Sequence, residues 1–349
     1  MEAFPQSTYN GTLPAGCRLC AQGAKLVLFV NGICLGNCYY CPLSKRRKGH
    51  WETWANERLV ASDDDIIDEA KKMDALGTGI TGGDPLMFAD DTLRYATLLK
   101  DTFSDSHHIH LYTPGILADK TVLSYMEPVI DEMRFHPTRD NWDKIRLALD
   151  YDMDVGAEIP VIPGSKEEIL EFAAYLDDCG ASFLNLNELE YSETNSKALR
   201  ERGFDFSEDS NAVIGSEELA LEIVGLTRDL DVNVHYCSSR FKDAVQLRER
   251  LKRRAKNVKA KYEDIDEDGL IVRGVIEAKT LPAMGRLLDG LSELIEEDGD
   301  MIKVRGTVLH TSWAALEEIR DMVDMPELEY YIEKEYPTHR RVLIEREGL

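Results

Sequence analysis

No uninterrupted apolar run in this chain of 349 residues approaches the roughly 20 residues that cross a bilayer. Met1 to Asn10 also lacks a basic segment followed by an apolar stretch. A soluble, cytoplasmic protein with no membrane partner is therefore expected. Positive charge is scarce, since 41 Lys and Arg against 65 Asp and Glu leave a formal net charge of −24. A surface this acidic repels polyanions at long range, which disfavours indiscriminate nucleic-acid binding and suits a salty cytoplasm. No self-similar period of about twenty to fifty residues is present, so a repeat array is not expected. Cysteine is limited to seven residues, yet five of them crowd between Cys17 and Cys41. An odd number in a reducing compartment argues against structural disulfides, and metal binding explains the crowding better. The hydrophobic share of 43% is enough for one large core, alone or with a smaller satellite.

From Lys25 onward, short β-rich apolar runs alternate with helical patterns, the mark of repeated βα units around a parallel sheet. Strands are expected at Lys25 to Asn31, Thr78 to Thr81, His108 to Tyr112, Glu132 to Phe135, Val155 to Ile162, Ser182 to Leu189 and Val232 to Tyr236. Between them fall helices at Asp63 to Leu76, Asp90 to Phe103, Lys120 to Ile130, Asn141 to Tyr151, Lys166 to Cys179 and Glu217 to Leu230. The sum is an α/β chain with a partial or full parallel (β/α) barrel, whose chemistry would sit at the C-terminal ends of the strands. Four segments are expected: an extension over 1–24, the barrel over 25–239, a basic linker helix over 240–265 and a small α+β domain over 266–349. Within that last domain the order reads strand (Leu270 to Glu277), helix (Pro282 to Glu296), strand (Met301 to His310) and helix (Trp313 to Met322), followed by strands at Glu329 to Ile332 and Val342 to Glu345.

The run Ile33-Cys34-Leu35-Gly36-Asn37-Cys38-Tyr39-Tyr40-Cys41-Pro42 sets three thiolates at C-x3-C-x2-C spacing on the loop leaving the first strand. Cubane clusters normally take four cysteines, so three leave one iron open to an outside ligand. Zinc is the competing reading, but it prefers paired C-x2-C knuckles and four ligands. The motif, with Tyr40 just before its third cysteine, resembles that of the radical S-adenosylmethionine (SAM) superfamily, over roughly Lys25 to Leu189. That resemblance implies a [4Fe-4S] cluster on Cys34, Cys38 and Cys41, with SAM chelating the open iron. It further implies an oxidoreductase or transferase working anaerobically, in which reductive cleavage of SAM gives a 5′-deoxyadenosyl radical that takes hydrogen from a substrate. The next strand ends in Gly82-Gly83-Asp84-Pro85, similar to the family's Gly-Gly-Glu stretch at the SAM amino group, with Asp84 in place of Glu. Thr113 and Glu158 resemble positions that touch SAM, and Tyr112, Arg134 and His136 are further strand-end candidates; each also fits an ordinary polar residue of a barrel. In Phe183 to Glu190 apolar and polar residues alternate, which puts Asn185 and Asn187 on one face, expected to line the lumen and meet substrate.

Cys17 and Cys20 form a C-x2-C element ahead of the first strand, and His235-x-Cys237 ends the last one. Were these strands neighbours, Cys17, Cys20 and Cys237 would hold a second iron–sulfur cluster or a zinc ion. Cys179 is expected to pack as a small buried residue. Lys45 to Lys48 places a basic spot beside the cluster loop, suited to an acidic flavodoxin or ferredoxin as electron donor; a solvated charge run explains it equally. Within the superfamily the layout looks most like mainly archaeal proteins described as related to pyruvate formate-lyase activating enzyme. The C-x2-C element and the domain after Gly269 depart from true activating enzymes. Two alternatives stay open: an RNA-modifying member, for which basic Arg248, Arg250, Lys252, Arg253 and Arg254 are the feature, and a non-catalytic iron–sulfur protein.

Overall fold

Strands β1 (Ser7–Asn10), β2 (Lys25–Phe29), β3 (Trp54–Ala55), β4 (Arg58–Leu59), β5 (Gly77–Thr81), β6 (His108–Thr113), β7 (Glu132–Phe135), β8 (Asp154–Val161), β9 (Phe183–Glu188) and β10 (Asn233–Cys237) join one sheet in the computed structural model. It describes residues 7–207, 210–292 and 299–349. Sheet order is β1-β10-β9-β8-β7-β6-β5-β2-β3-β4. The seven strands from β10 to β2 are all parallel and lie in chain order, as right-handed βα crossovers produce. Among the described residues the sheet keeps two free ends, with β1 antiparallel on β10 and the β3–β4 hairpin antiparallel on β2. The barrel is thus a partial one.

Apolar residues on one side of each strand, such as Ile80, Leu111, Met133, Val155, Leu184 and Val234, are buried. Covering helices supply matching stripes: Tyr95, Ala96 and Leu99 from Ala89–Phe103, Ile169, Phe172, Ala173 and Leu176 from Lys166–Cys179, and Leu219, Ala220, Ile223 and Val224 from Ser216–Leu226. These i, i+3, i+4 spacings make a face wide enough to cover the sheet. The opposite, inner face is polar. Register sets Glu158, Asn185 and His235 side by side in one row, with Asn187 and Cys237 in the row nearer the strand ends.

The C-x2-C element is not an irregular knuckle but part of a helix, α1 (Ala15–Ala21), whose end packs Ala21 against Cys237 and Phe241. The inner face of the sheet closes on this helix. Gly16 N donates to Glu132 Oε2 at 2.9 Å, and a Cβ at Gly16 would stand 2.4 Å from His110 Nδ1 and 2.5 Å from Arg134 Nη2. Only glycine lets the helix come this close.

Two bodies make up the chain: Met1–Lys71 with Ala75–Leu247, and Lys72–Asp74 with Arg248–Leu349. In the second, antiparallel strands run in the order Ile302–Arg305, Val308–Thr311, Ile271–Ala278, Leu328–Glu335, Leu343–Gly348. Helices Leu281–Gly290 and Trp313–Met322 bury Ala283, Met284, Leu287, Leu316 and Ile319 against one face. The single strand expected over Met301 to His310 is a hairpin turning at Gly306, whose φ of 63° suits glycine. The helix expected to reach Glu296 is described to Gly290, and its further length falls on residues 293–298, outside the described residues. The basic linker expected as a helix over 240–265 is helical without a break from Ser239 to Val258, with a π-helical turn at Lys242–Leu247, and it stops short of the short strand Asp264–Ile265.

Candidate active site at the strand ends

The loop leaving β2 is closed at its base by backbone bonds from Gly32 N to His50 O (2.7 Å) and Gly49 N to Gly32 O (2.8 Å). Asn31, buried at that base, accepts from Ile33 N at 2.7 Å and donates to the Asp84 carbonyl at 3.2 Å. In return Gly83 N donates to Asn31 O (2.7 Å) and Asp84 N to Ile33 O (2.8 Å). A Cβ at Gly82 or Gly83 would stand 2.4 Å from Asn31 O or 2.3 Å from Ile33 O. The paired glycines therefore lock the end of β5 under the cysteine loop.

Gly36 N donates to Cys34 Sγ at 3.2 Å, and a Cβ at Gly36 would lie 3.3 Å from Cys34 Sγ and 3.9 Å from Cys38 Sγ. Both sulfurs thus lie close to Gly36, where a Cβ would press on Cys34 Sγ. Cys34 is exposed and Cys38 and Cys41 are half-buried. Burial raises the Cys34 thiol pKa, and neighbouring Asp84, Cys38 and Cys41 add to the rise. Asp84 Oδ1 caps Leu86 N at 3.1 Å and accepts from Thr113 Oγ1 at 3.0 Å, while its buried Oδ2 has no protein partner. Burial pushes this carboxyl up against those two bonds. Asp replaces Glu here with a local reason: the shorter side chain reaches back to the amide two residues on.

Tyr40 is held from below. Its hydroxyl donates to His136 Nε2 at 3.0 Å, while His136 Nδ1 donates to the Glu158 carbonyl at 2.9 Å. From the loop after β9, Asn195 Nδ2 reaches the Tyr40 carbonyl (2.9 Å) and Thr194 Oγ1 the carbonyls of Cys41 (3.2 Å) and Leu43 (2.6 Å).

Beneath this rim the lumen is filled. Arg134, 2% exposed, donates to Glu132, to Glu158 Oε2 (2.7 Å), to Tyr112 Oη (3.3 Å) and to Cys17 Sγ (3.4 Å). Burial, the largest influence, raises the carboxyls of Glu132 and Glu158, but Arg134 together with the hydrogen bonds from Gly16 N to Glu132 and from Asn185 and Asn187 to Glu158 outweighs it, and both end below the usual range. Asn185 Nδ2 is shared by Cys17 Sγ (3.2 Å) and Glu158 Oε2 (3.1 Å), and Asn187 Nδ2 donates to Glu158 Oε1 at 2.7 Å. The two asparagines do share the inner face; Asn185 is buried and Asn187 only half so. Lower down, Lys25 Nζ meets His108 Nδ1 at 2.7 Å, and burial drops its pKa to about 7.

Strand β10 lies beside β9 and β1 rather than β2, so Cys237 approaches the α1 thiols across the mouth of the sheet. Burial pushes the Cys17 thiol up to about 12 despite Arg134, and Cys237 likewise to about 12. Among the described residues no three Cys, His, Asp or Glu side chains, at either cysteine group, stand in a ready-made metal arrangement. Cys179 is half-buried and donates to Leu176 O at 3.3 Å. The basic run beside the loop is partly internal: Arg47 donates to Asn56 O at 2.8 Å and Arg46 lies 4.3 Å over Trp54, while Lys45 is 3.7 Å from Glu193. Of the basic helix, Arg254 is buried and Lys252 pairs with Glu249 at 3.4 Å.

Asn31, Gly36, Thr194, Asn195 and Glu132 escaped the sequence reading. For Glu132 the alternation His108-x-His110-x-Tyr112 and Glu132-x-Arg134 was the available signal. Thr194 and Asn195 carry none, because their partners lie some 150 residues away.

A three-cysteine loop at the C-terminal end of the first parallel strand, seated on a glycine pair, defines the class, and residues 28–131 match the Radical SAM superfamily. Residues 269–349 match a domain of unknown function, DUF8061. A putative glycyl-radical enzyme activating enzyme of the archaeon Methanocaldococcus jannaschii is 45% identical over 278 residues, covering 76% of this chain and 73% of that one. The chain belongs to the radical SAM superfamily and is an enzyme of it. Among solved structures, Streptococcus suis SuiB bound to precursor peptide SuiA is 12% identical with a TM-score of 0.46, over 73% of this chain and 61% of that one. The chain thus spans about six-tenths of the length of SuiB. A domain of pyruvate-formate lyase-activating enzyme from Bacteroides vulgatus is 17% identical with a TM-score of 0.32, over 45% of this chain and 98% of that one. No helix among the described residues is long and apolar enough to cross a membrane.

Proposed function

We propose that Cys34, Cys38 and Cys41 hold a [4Fe-4S] cluster whose open iron takes the amino-acid end of SAM, and that the chain acts on a protein, peptide or small metabolite. Carrying this reading is the interlock of the cysteine loop with Gly82, Gly83 and Asp84, which leaves one buried carboxylate oxygen of Asp84 without a partner. The donor set suits the group, with three soft free thiols on one loop, two of them, Cys34 and Cys38, on either side of Gly36. When bound, the cluster supplies the electron that breaks a carbon–sulfur bond of SAM and so provides a hydrogen-abstracting 5′-deoxyadenosyl radical. Everything else falls to the chain. Asp84 offers Oδ2 to the SAM amino group while Thr113 fixes its other oxygen. Tyr40, tied through His136 to the Glu158 backbone, keeps the loop over the lumen. Asn187, half-buried above the filled lumen, faces the substrate. The exposed Lys45, Arg46 and Lys48 suit an acidic flavodoxin or ferredoxin as donor. Contacts of Cys17 with Arg134 and Asn185 support a packing role for that thiol over an auxiliary cluster or zinc ion.

Anaerobic reconstitution followed by iron counting, then incubation with SAM and dithionite, tests the reading. Close to four irons per chain, a reduced paramagnetic spectrum that changes on adding SAM, and 5′-deoxyadenosine as product are expected. Zinc on the three thiols, or a spectrum indifferent to SAM, would sink it.

A further inference from the structure

The third cysteine sits between backbone groups that a distant loop takes hold of. Asn195, 1% exposed, donates its amide to the Tyr40 carbonyl (2.9 Å) and the Glu190 carbonyl (2.9 Å), and its Oδ1 accepts from Ser192 N (2.7 Å). Thr194 Oγ1 spans the carbonyls of Cys41 (3.2 Å) and Leu43 (2.6 Å), and Glu193 Oε1 accepts from Lys45 N at 2.7 Å. Pro42 offers no N–H, which leaves this stretch poor in local donors. Carbonyls shielded from water need partners, and here side chains of the β9 loop provide them. Cys34 and Cys38 bracket Gly36 within their own loop. Cys41, whose N donates to Cys38 O at 3.2 Å within the loop, takes the partner of its carbonyl from far along the chain. Tyr39 and Tyr40 also pack with Leu189, Leu199 and Val213 of the same region, so the clamp stands on a small apolar platform.

We propose that Thr194 and Asn195 are positioning residues that fix Cys41 for cluster binding. This rests on the reading that Cys34, Cys38 and Cys41 hold the cluster. Isosteric substitutions separate hydrogen bonding from packing: Thr194→Val removes the hydroxyl, Asn195→Asp replaces the donating NH2 by an acceptor, and Thr194→Ser keeps the hydroxyl. Two measurements are made on the full chain. Hydrogen exchange of the cluster-free protein is read by mass spectrometry over residues 38–48. Iron release to a chelator is timed after anaerobic reconstitution, with the reduced paramagnetic spectrum recorded alongside. Thr194→Val is expected to speed both exchange and release about five-fold, the effect of one lost hydrogen bond, Asn195→Asp, which loses two, to speed them more, and both to broaden the spectrum. Thr194→Ser is expected to match wild type in all three. Unchanged exchange in Thr194→Val and Asn195→Asp would remove the clamp. Faster exchange with unchanged iron release and spectrum would leave a mere loop contact and overturn the positioning role, as would a Thr194→Ser chain as defective as Thr194→Val. A wild-type chain that takes up no iron would refute the cluster reading itself, and the positioning role with it, whatever the exchange shows.

Discussion

Two cysteine groups share this fold and live in opposite surroundings. Cys34, Cys38 and Cys41 ride on a loop whose backbone is fastened at Gly32, Asn31 and Tyr40, leaving the thiols exposed or half-buried. Cys17 sits on a helix inside the sheet, its sulfur engaged by a guanidinium and an amide. At the rim, side chains from other segments restrain the main chain, and Cys34 Sγ accepts from a backbone amide of its own loop, Gly36 N; in the lumen the Cys17 sulfur is a packing atom that accepts from side chains of the sheet. Spacing between cysteines does not distinguish the two cases. What does is whether side chains from distant segments bind the backbone or the thiol.

The contrast can be broken most sharply at the rim. Cys38→Ala is expected to abolish 5′-deoxyadenosine formation while leaving the urea midpoint of the cluster-free chain unchanged, and Cys179→Ala to leave product formation near wild type; a Cys38→Ala chain that still makes product would erase the distinction. In the lumen the large effect should be on stability. Arg134→Met strands Glu132 and Glu158 without their countercharge and is expected to cost about 3–5 kcal/mol by urea unfolding.

Acid should sharpen the same difference. Burial lowers His107 and His235 to about 4 from the ordinary 6.5, so each stays neutral in the fold while the unfolded chain takes up a proton. Stability is therefore complete above pH 6.5 and falls as pH drops toward 4, by about 3 kcal/mol for each histidine at the acid end. His107→Gln, which keeps a nitrogen for Thr78 Oγ1, should flatten that slope; an unaltered slope between pH 6.5 and 4 would show that His107 does not contribute to it. Smallest is Cys17→Ala, expected to cost about 1–3 kcal/mol through the acceptor lost to Arg134 and Asn185, with iron per chain unchanged. A drop in bound iron or zinc would instead restore the auxiliary metal site.

Much of the first body is legible in the sequence. Buried strands read as apolar runs, and Glu132–Phe135 and the helix Lys166–Cys179 appear with the expected bounds, because one-sided burial writes a period directly into the sequence. The cysteine loop and glycine pair were legible for a different reason, since their chemistry needs fixed local spacing. Helix α1 was not: seven residues with Gly16 and two cysteines present no apolar stripe, and its shape comes from the socket around it. Nor were the β3–β4 hairpin or the turn at Gly306, where two-residue and four-residue strands fall below the length at which alternation is detectable. Asn31 and Asn195 look like any loop asparagine, and only the meeting of distant segments gives them their tasks.

The seating of α1 also has a consequence for biosynthesis. Cys17 leaves the ribosome ahead of all its partners, since Glu132, Arg134, Asn185 and the β10 edge that pairs with Ser7–Asn10 follow more than a hundred residues later. At ordinary elongation rates the helix waits on the order of 10–40 s for its last partners. The lumen is then completed last, so a nascent chain halted before Tyr236 would carry most of the covering helices while β1 still lacks the strand it pairs with.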